Sequence, residues 1–146
     1  MKYLIALMLP LFLASACKKD DNKQSELDDQ IIRDYITLQG WIATKTASGL
    51  YYVIDQPGNS QHPTLNNDVR VTYSGYYSDG IEFDGNTLTF ALSGVIAGWR
   101  EGIPYFGKGG QGKLLIPSAL GYGDQPPAGI RSNAVLIFDI HLIDIK

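Results

Sequence analysis

Alternating apolar and polar side chains near residue 70 constrain the fold of this chain more than any other feature. Val69, Val71 and Tyr73 alternate with polar residues, and a period of two is typical of a strand with one buried face. Ser78-Asp79-Gly80 follows and predicts a tight turn, because glycine tolerates positive φ. The chain would return through Ile81-Glu82-Phe83, which brings Phe83 close to Tyr73. The pattern therefore predicts an antiparallel hairpin.

Three further segments have strand character, and one has a helical period. The strand segments are residues 50–54, 113–116 and 135–145. Between Ser93 and Pro104 the apolar residues recur at helical spacing, which predicts one short helix. We therefore expect about four or five antiparallel strands, with one helix to cover their apolar face. This arrangement is an α+β architecture.

The N-terminal residues have the features of an export signal. Lys2 is followed by an apolar run from Leu4 to Leu13 and by the small residues Ala14-Ser15-Ala16 before Cys17. The run is shorter than the roughly 20 apolar residues that a membrane span needs. Cys17 is the only cysteine and stands where a bacterial lipobox places its lipidated residue, although Ala14 occupies a position where Leu is commoner. We therefore predict a lipoprotein signal peptide at residues 1–16.

A fatty acid such as palmitate on Cys17 would anchor the exported protein to a membrane of the cell envelope. The prediction covers the outer membrane on either its periplasmic or its surface face, because the sequence does not distinguish the two. The alternative is a plain secreted protein with an incidental cysteine.

Two segments separate the signal from the main domain. Residues 17–25 are polar, and we predict a flexible tether there; its Lys and Asp residues also resemble the surface-export signal of some Gram-negative lipoproteins. Helical periodicity runs from Glu26 to Gln39 and ends at Gly40. We place this helix in a segment spanning residues 26–48, before a domain at residues 49–146. The helix could dock on its own domain or form a homodimer.

Composition and spacing argue against several classes of function. A chain of 146 residues with 45% hydrophobic residues can bury one core, and a net charge of −3 with scattered Lys and Arg offers no surface for nucleic acid. The run at residues 107–113 has phosphate-loop spacing, but a strand follows where that motif needs a helix. His62 and His141 are isolated and make no zinc site. We expect neither a metal nor a cofactor.

Aromatic side chains recur at the ends and bends of the predicted strands. Tyr73, Phe83, Trp99 and Tyr122 are the clearest cases, and the last two lie beside glycines. Large rings in short glycine-containing segments have room to line a cavity. We predict a hydrophobic pocket, with ordinary core packing as the alternative for any single ring.

Seven short motifs stand in an order that is specific in combination. They are Val71-Thr72-Tyr73-Ser74-Gly75, Asp79-Gly80, Phe83-Asp84, Val95-Ile96-Ala97-Gly98-Trp99-Arg100-Glu101-Gly102, Leu115-Ile116-Pro117, Gly121-Tyr122-Gly123 and Leu136-Ile137-Phe138-Asp139-Ile140. In this order the chain resembles the FKBP-type peptidyl-prolyl cis-trans isomerases over about residues 49–146. The resemblance implies a strongly curved antiparallel β-sheet wrapped around one short α-helix, with the N-terminal helix preceding it.

The same resemblance implies roles for individual residues. Trp99 would form the floor of the pocket, Tyr122 would donate a hydrogen bond to a substrate carbonyl, and the Ile96 N–H would hold a neighbouring carbonyl. Asp84 would lie at the rim, hydrogen-bonded to Tyr73 or facing the twisted peptide bond. The remaining walls would be Phe83, Phe90, Val95, Ile130 and Phe138.

The family's function implies the partners of such a pocket. They would be X-Pro segments of unfolded or folding exported proteins, and macrolide inhibitors would be further ligands. Leu88 departs from the family pattern, because an aromatic residue is common at its position, so one wall is expected to be lower. The alternatives are a noncatalytic peptide-binding module or chaperone with the same pocket, and a surface adhesion lipoprotein.

Overall fold

The structure is a computed structural model that describes the backbone of residues 9–146 and the side chains from residue 20 onward. The predicted signal peptide lies partly outside the described residues, and so does the side chain of Cys17. The regular elements are α1 (Leu9–Gln39), β1 (Thr44–Lys45), β2 (Tyr51–Gln56), β3 (Asp68–Tyr76), β4 (Glu82–Ala91), α2 (Ala97–Gly102), β5 (Gln111–Ile116) and β6 (Leu136–Ile145). Short 3₁₀ turns lie at Leu92–Gly94, Ile103–Tyr105 and Ser118–Leu120.

Within residues 9–146, six strands form one antiparallel sheet in the order β1-β2-β5-β6-β3-β4. The predicted α+β class and its antiparallel sheet are confirmed. The sequence pattern did not predict β1, because a strand of two residues is too short to show an alternation. The predicted hairpin turn is present: the Tyr77 N–H donates to the Ile81 carbonyl at 3.0 Å, and Gly80 adopts φ +88°.

One face of the sheet packs against α2 and contains the main hydrophobic core. Trp99 and Ile103 from the helical region lie against strand residues such as Leu114, Ile116 and Phe138. Successive strand residues point to opposite faces, so Leu115 lies on the other side of the sheet. The predicted short helix is confirmed, but it is only six residues long and is flanked by 3₁₀ turns.

The second face of the sheet is covered by the C-terminal part of α1. Ile32 is completely buried there and packs with Tyr51, Val53 and Leu115. Asp29 adds polar contacts, because it accepts a hydrogen bond from the Tyr51 hydroxyl at 2.9 Å and pairs with Lys45 at 2.8 Å. The helix therefore docks on its own domain, one of the two outcomes that the sequence left open.

α1 is longer than the sequence pattern indicated. Residues 17–25, for which we predicted a flexible tether, are helical in the structure. No glycine or proline interrupts the chain between Leu11 and Gln39, and a helix that is already docked extends at little cost through residues without breakers. Gln24 supports the extension by donating to Asp28 one turn later at 2.7 Å. Gly40 ends the helix with φ +69°, as predicted.

Glycines allow α2 to approach the sheet closely. A Cβ at Gly98 would lie 2.6 Å from an Ile116 side-chain carbon, and one at Gly102 would lie 2.5 Å from Leu114. These distances are shorter than any van der Waals contact, so the backbone of α2 packs directly on β5. The close approach sets the depth at which Trp99 enters the core.

Substitution of Gly98 by Ala is expected to destabilise the protein, although Ala favours helices. The added methyl overlaps Ile116 and should lower the free energy of unfolding by about 1–3 kcal/mol, measured by urea denaturation. Gly94→Ala is the control, because a Cβ there meets no atom within 4 Å. Equal unfolding midpoints for the two variants would contradict the packing described.

Candidate functional site

An aromatic cavity of about 350 Å³ opens at one end of the sheet. Its size lies in the range typical of small-molecule sites. Asp84 is the only charged residue in the lining. The lining residues are Tyr73, Phe83, Asp84, Leu88, Phe90, Gly94, Val95, Ile96, Trp99, Tyr122 and Phe138.

Trp99 forms the floor and is held by three neighbouring rings. Tyr73 and Phe138 meet it edge-on with ring centroids 5.0 and 5.1 Å away, and Phe90 lies 5.4 Å away. Edge-to-face packing is the favourable geometry for aromatic pairs, so the indole is fixed from several directions. Only 5% of Trp99 is exposed. The floor is therefore rigid and largely dry.

The indole N–H of Trp99 has no protein partner. Within residues 20–146 it is the one buried side-chain N or O atom without a hydrogen bond. A buried donor without an acceptor costs free energy. An acceptor on a ligand that reaches the floor would relieve this cost.

Glycine at residue 75 makes room for two of the wall rings. A Cβ there would lie 2.7 Å from Phe138 and 2.8 Å from Phe83. Gly75 pairs with Phe138 across β3 and β6 and with Asp84 across β3 and β4. The residue without a side chain thus stands where rings from both neighbouring strands converge.

The polar rim consists of Asp84 and two tyrosines. Asp84 accepts hydrogen bonds from the Tyr73 hydroxyl at 2.9 Å and from the Gly85 N–H at 2.8 Å; the bond to Tyr73 is one of the two placements of Asp84 that the resemblance left open. Burial, together with this bond to a carboxylate, raises the pKa of Tyr73 to about 12. Burial first, and the charge of Asp84 second, raise the pKa of Tyr122. Both hydroxyls are therefore protonated donors at neutral pH.

Ile96 supplies backbone groups at the entrance of α2. Its carbonyl accepts hydrogen bonds from the N–H groups of Trp99 and Arg100. Its own N–H donates to no group in the part of the chain that the structure describes. The N–H of a residue that lines the cavity is thus left for a ligand carbonyl.

Nine of the ten pocket residues predicted from the sequence line this cavity, and Ile130 does not. The reason lies in the next residue, Arg131, whose N–H donates to the Tyr77 hydroxyl at 3.1 Å and whose guanidinium lies 4.1 Å from the Tyr77 ring centroid. Arg131 also pairs with Asp79 at 2.8 Å. These contacts fix the loop on the hairpin turn, and Ile130 stays half-buried outside the lining.

Two lining residues, Leu88 and Gly94, were absent from the predicted set. Leu88 lies two residues before Phe90 on β4, so strand periodicity places both on one face, and it stands where the resemblance implied a lower wall. It is 44% exposed and forms a low wall. Gly94 has no side chain, and no sequence pattern marked it.

A larger cavity of about 600 Å³ lies between α1 and the turn after β5. No aromatic ring lines it, and five aspartates do. Its lining mixes polar and apolar surface and offers no ring against which an apolar ligand could stack, so the aromatic cavity is the candidate site. Among the described residues, no group of three His, Cys, Asp or Glu side chains could hold a metal ion.

Comparison with known proteins identifies the family to which the sequence is similar. A family model described as FKBP-type peptidyl-prolyl cis-trans isomerase matches residues 59–143. The chain belongs to this family. The match includes all eleven residues that line the cavity.

Relatives within the FKBP-type family include several proteins named FkpA. The FkpA of Buchnera aphidicola from Schizaphis graminum is 46% identical over 109 residues, which cover 70% of this chain and 43% of the relative. The FkpA of Escherichia coli K12 is 36% identical over 138 residues, covering 91% and 51%. This chain thus spans about half the length of the curated relatives that it matches.

Solved structures of the family have the same fold. The crystal structure of Escherichia coli FkpA superposes with a TM-score of 0.71 at 31% identity and covers all of this chain and 73% of that one. A peptidyl-prolyl cis-trans isomerase from Pseudomonas syringae pv. tomato superposes with a TM-score of 0.70 at 28% identity, covering 84% and 96%. The likeness therefore extends beyond the matched motifs to the architecture that encloses the cavity.

Removal of the Asp84 charge is expected to lower the pKa of Tyr73 from about 12 toward the ordinary value near 10. Because folding raises this pKa, the stability contributed by the protonated hydroxyl is present below about pH 10 and is lost as the pH rises through the folded-state value. The shift in Asp84→Asn can be measured by NMR titration of ¹³C-labelled tyrosine rings, with Tyr73→Phe for assignment.

Tyr76 is the internal control for this titration. Its hydroxyl donates to Asp139 rather than to Asp84, and burial and that carboxylate raise its pKa. Its titration should be the same in Asp84→Asn as in the wild type. An unchanged pKa of Tyr73 in the variant would show that Asp84 does not act on it.

Proposed function

We propose that this chain is a peptidyl-prolyl cis-trans isomerase that assists the folding of exported proteins by binding their X-Pro segments in the aromatic cavity. The observation that carries the proposal is the rigid ring-lined floor at Trp99 beneath a rim of neutral hydroxyl donors. Membership of the FKBP-type family supports it.

The reaction requires rotation about one peptide bond. Resonance holds that bond planar with a barrier of roughly 18–20 kcal/mol, and the planar state is the more polar because nitrogen donates charge to oxygen. X-Pro bonds are the natural substrates, since they populate the cis form appreciably and interconvert slowly enough to limit folding. A cavity that favours the less polar, twisted state over the planar one lowers the barrier.

The lining residues suit this task. A proline ring would lie against Trp99, and the surrounding rings would keep water from the bond, which favours the less polar state. The Tyr122 hydroxyl and the Ile96 N–H would hold the flanking carbonyls and so select the twisted geometry. Asp84 would keep Tyr73 in place through their hydrogen bond. No step needs a group to gain or lose a proton.

Substitutions at the floor and the rim are expected to reduce catalysis in different degrees. Tyr122→Phe removes one neutral hydrogen bond and should lower kcat/KM about two- to tenfold. Trp99→Leu removes the floor and should lower it more than tenfold. Cis-trans relaxation of short X-Pro peptides, followed by NMR exchange spectroscopy, measures both effects.

Tyr105→Phe is the matched control for Tyr122→Phe. Tyr105 is 39% exposed and Tyr122 is 38% exposed, but Tyr105 stacks on Tyr52 and does not line the cavity. Its loss should leave the rate unchanged. A folded wild-type chain that accelerates no X-Pro peptide, whatever residue precedes Pro, would overturn the proposal.

A noncatalytic peptide-binding module or chaperone is the second candidate. The exposed Leu88 favours it, because a low wall leaves the bound peptide partly in water and weakens the apolar environment of the bond. Such a protein would bind apolar X-Pro peptides, with Trp99→Leu reducing affinity, and would not accelerate isomerisation. Peptide titration and exchange rates on the same samples separate the two functions.

We further propose that the protein is exported and attached to the cell envelope by a fatty acid such as palmitate on Cys17. The sequence around Ala14-Ser15-Ala16 supports the proposal. Among the described residues, no helix is long and apolar enough to cross a membrane. Metabolic labelling with radioactive palmitate should label the wild type and should not label Cys17→Ser, which should leave the membrane fraction.

Trp99→Leu is the control for this labelling, because a pocket residue should not affect lipidation. An unlabelled wild type would favour a plain secreted protein. Cellular function that is lost with Cys17 and retained with Trp99→Leu would favour an adhesion lipoprotein.

We also propose that the aromatic cavity binds macrolides and that the chain forms a homodimer through α1. Leu27 and Leu38 on α1 are 53% and 79% exposed, which supports a helix contact with a second copy. Sedimentation equilibrium that finds only monomer would exclude the dimer, and titration with a macrolide that leaves Trp99 fluorescence unchanged would exclude the ligand.

A further inference from the structure

Ser118 holds the turn that carries Tyr122. Its carbonyl accepts hydrogen bonds from the N–H groups of Gly121 at 3.0 Å and of Gly123 at 2.9 Å. These two amides flank Tyr122 in the chain. The Gly123 carbonyl in turn accepts from the Asn133 N–H at 2.8 Å, so the Ser118 carbonyl fixes the tyrosine backbone on one side and Asn133 fixes it on the other.

Ser118 is held in turn by Asp28 of α1. One carboxylate oxygen of Asp28 accepts hydrogen bonds from the Ser118 N–H at 2.8 Å and from the Ser118 hydroxyl at 2.5 Å. The other oxygen accepts from Gln24 at 2.7 Å. Asp28 is 1% exposed and Ser118 is 3% exposed. All three polar groups of Ser118 are thus bonded, and two of them are bonded to the N-terminal helix.

The turn needs an external anchor of this kind. Tyr122 lies between two glycines, and glycine backbones have more conformational freedom than any other; Gly123 adopts φ +60°. Tyr122 itself is 38% exposed, so packing alone does not hold it. Without the bonds to Ser118, the hydroxyl at the rim would sample a wider set of positions.

Docking of α1 does not account for a buried charge at residue 28. Ile32 is completely buried and already docks the helix on the sheet. Asp29 already bonds the helix to Tyr51 and Lys45. A buried carboxylate contributes little net stability, because desolvation offsets its hydrogen bonds. Asp28 has no cationic partner among residues 20–146. Its bonds point to Ser118 and Gln24 alone.

We propose that Asp28 is a positioning residue: through Ser118, it fixes the turn that presents the Tyr122 hydroxyl to the substrate. The inference rests on the proposed function, because the hydroxyl matters to turnover only if the cavity is an isomerase site. It makes α1 part of the catalytic unit. A positional error of about 1 Å in a substrate-holding group can reduce turnover strongly.

A double-mutant cycle in the full chain tests the proposal. Asp28→Ala should lower kcat/KM about fivefold, within the two- to tenfold effect of losing the Tyr122 hydrogen bond. In the Tyr122→Phe background the same substitution should change the rate less than twofold, because the hydroxyl that it positions is already absent. Additive losses in the two backgrounds would overturn the proposal.

Asp29→Ala is the matched control. It removes the contacts of the adjacent carboxylate with Tyr51, Lys45 and Arg33 and leaves Ser118 untouched. Stability should fall in both variants, while kcat/KM should fall only in Asp28→Ala. Equal losses of kcat/KM would mean that helix docking, rather than the bond to Ser118, is responsible. Asp28→Asn, which keeps one acceptor for the Ser118 N–H, should restore part of the rate.

A second measurement does not depend on activity. Amide hydrogen exchange at Gly121 and Gly123 should accelerate about tenfold in Asp28→Ala relative to Leu115 in β5, and should not do so in Asp29→Ala. An unchanged exchange rate at Gly121 and Gly123 would overturn the proposal, whatever values of kcat/KM are measured. Accelerated exchange in a chain without isomerase activity would support the link from Asp28 to the turn and would reject the proposed function. Should Asp28→Ala not fold, Ser118→Ala removes only the hydroxyl bond and serves in its place.

Discussion

The rest of the structure depends on how closely α2 packs against β5. Gly98 and Gly102 bring the helix backbone to the side chains of Ile116 and Leu114 without an intervening Cβ. A six-residue helix has little stability of its own, so its position comes from this packing. Trp99, one residue after Gly98, is thereby placed at a fixed depth between the sheet and the solvent. The floor of the cavity lies at this depth because Gly98 and Gly102 have no side chains.

The chemistry of the site follows from what surrounds that floor. Three rings fix Trp99, and the one charged residue of the lining, Asp84, bonds to Tyr73 at the rim. Burial first, and the Asp84 carboxylate second, raise the pKa of both rim tyrosines, so their hydroxyls stay protonated as donors across the physiological range. An arrangement of this kind binds and orients, and peptide bond rotation needs nothing more.

Features with a short repeat could be predicted from the sequence, and features that depend on distant contacts could not. Val69, Val71 and Tyr73 revealed β3 by their alternation, and Gly80 marked the turn after it. Tyr73 of this strand lines the cavity, where the family motif placed it. Ile130 was misplaced because its position depends on the anchoring of Arg131 to Tyr77 and Asp79, which no pattern along the chain reveals.

The same limit explains why the start of α1 and the role of Asp28 were not foreseen. Polar residues before Glu26 favoured disorder, but helix propagation from a docked segment does not require an apolar face at every turn. Asp28 is buried against Ser118, 90 residues later in the chain, and no pattern along the helix reveals so distant a partner. A domain boundary drawn at Gly49 therefore divides a structural unit, because Ile32 and Asp28 complete the core and the turn beneath the site. The N-terminal helix has to be counted with the domain that it covers.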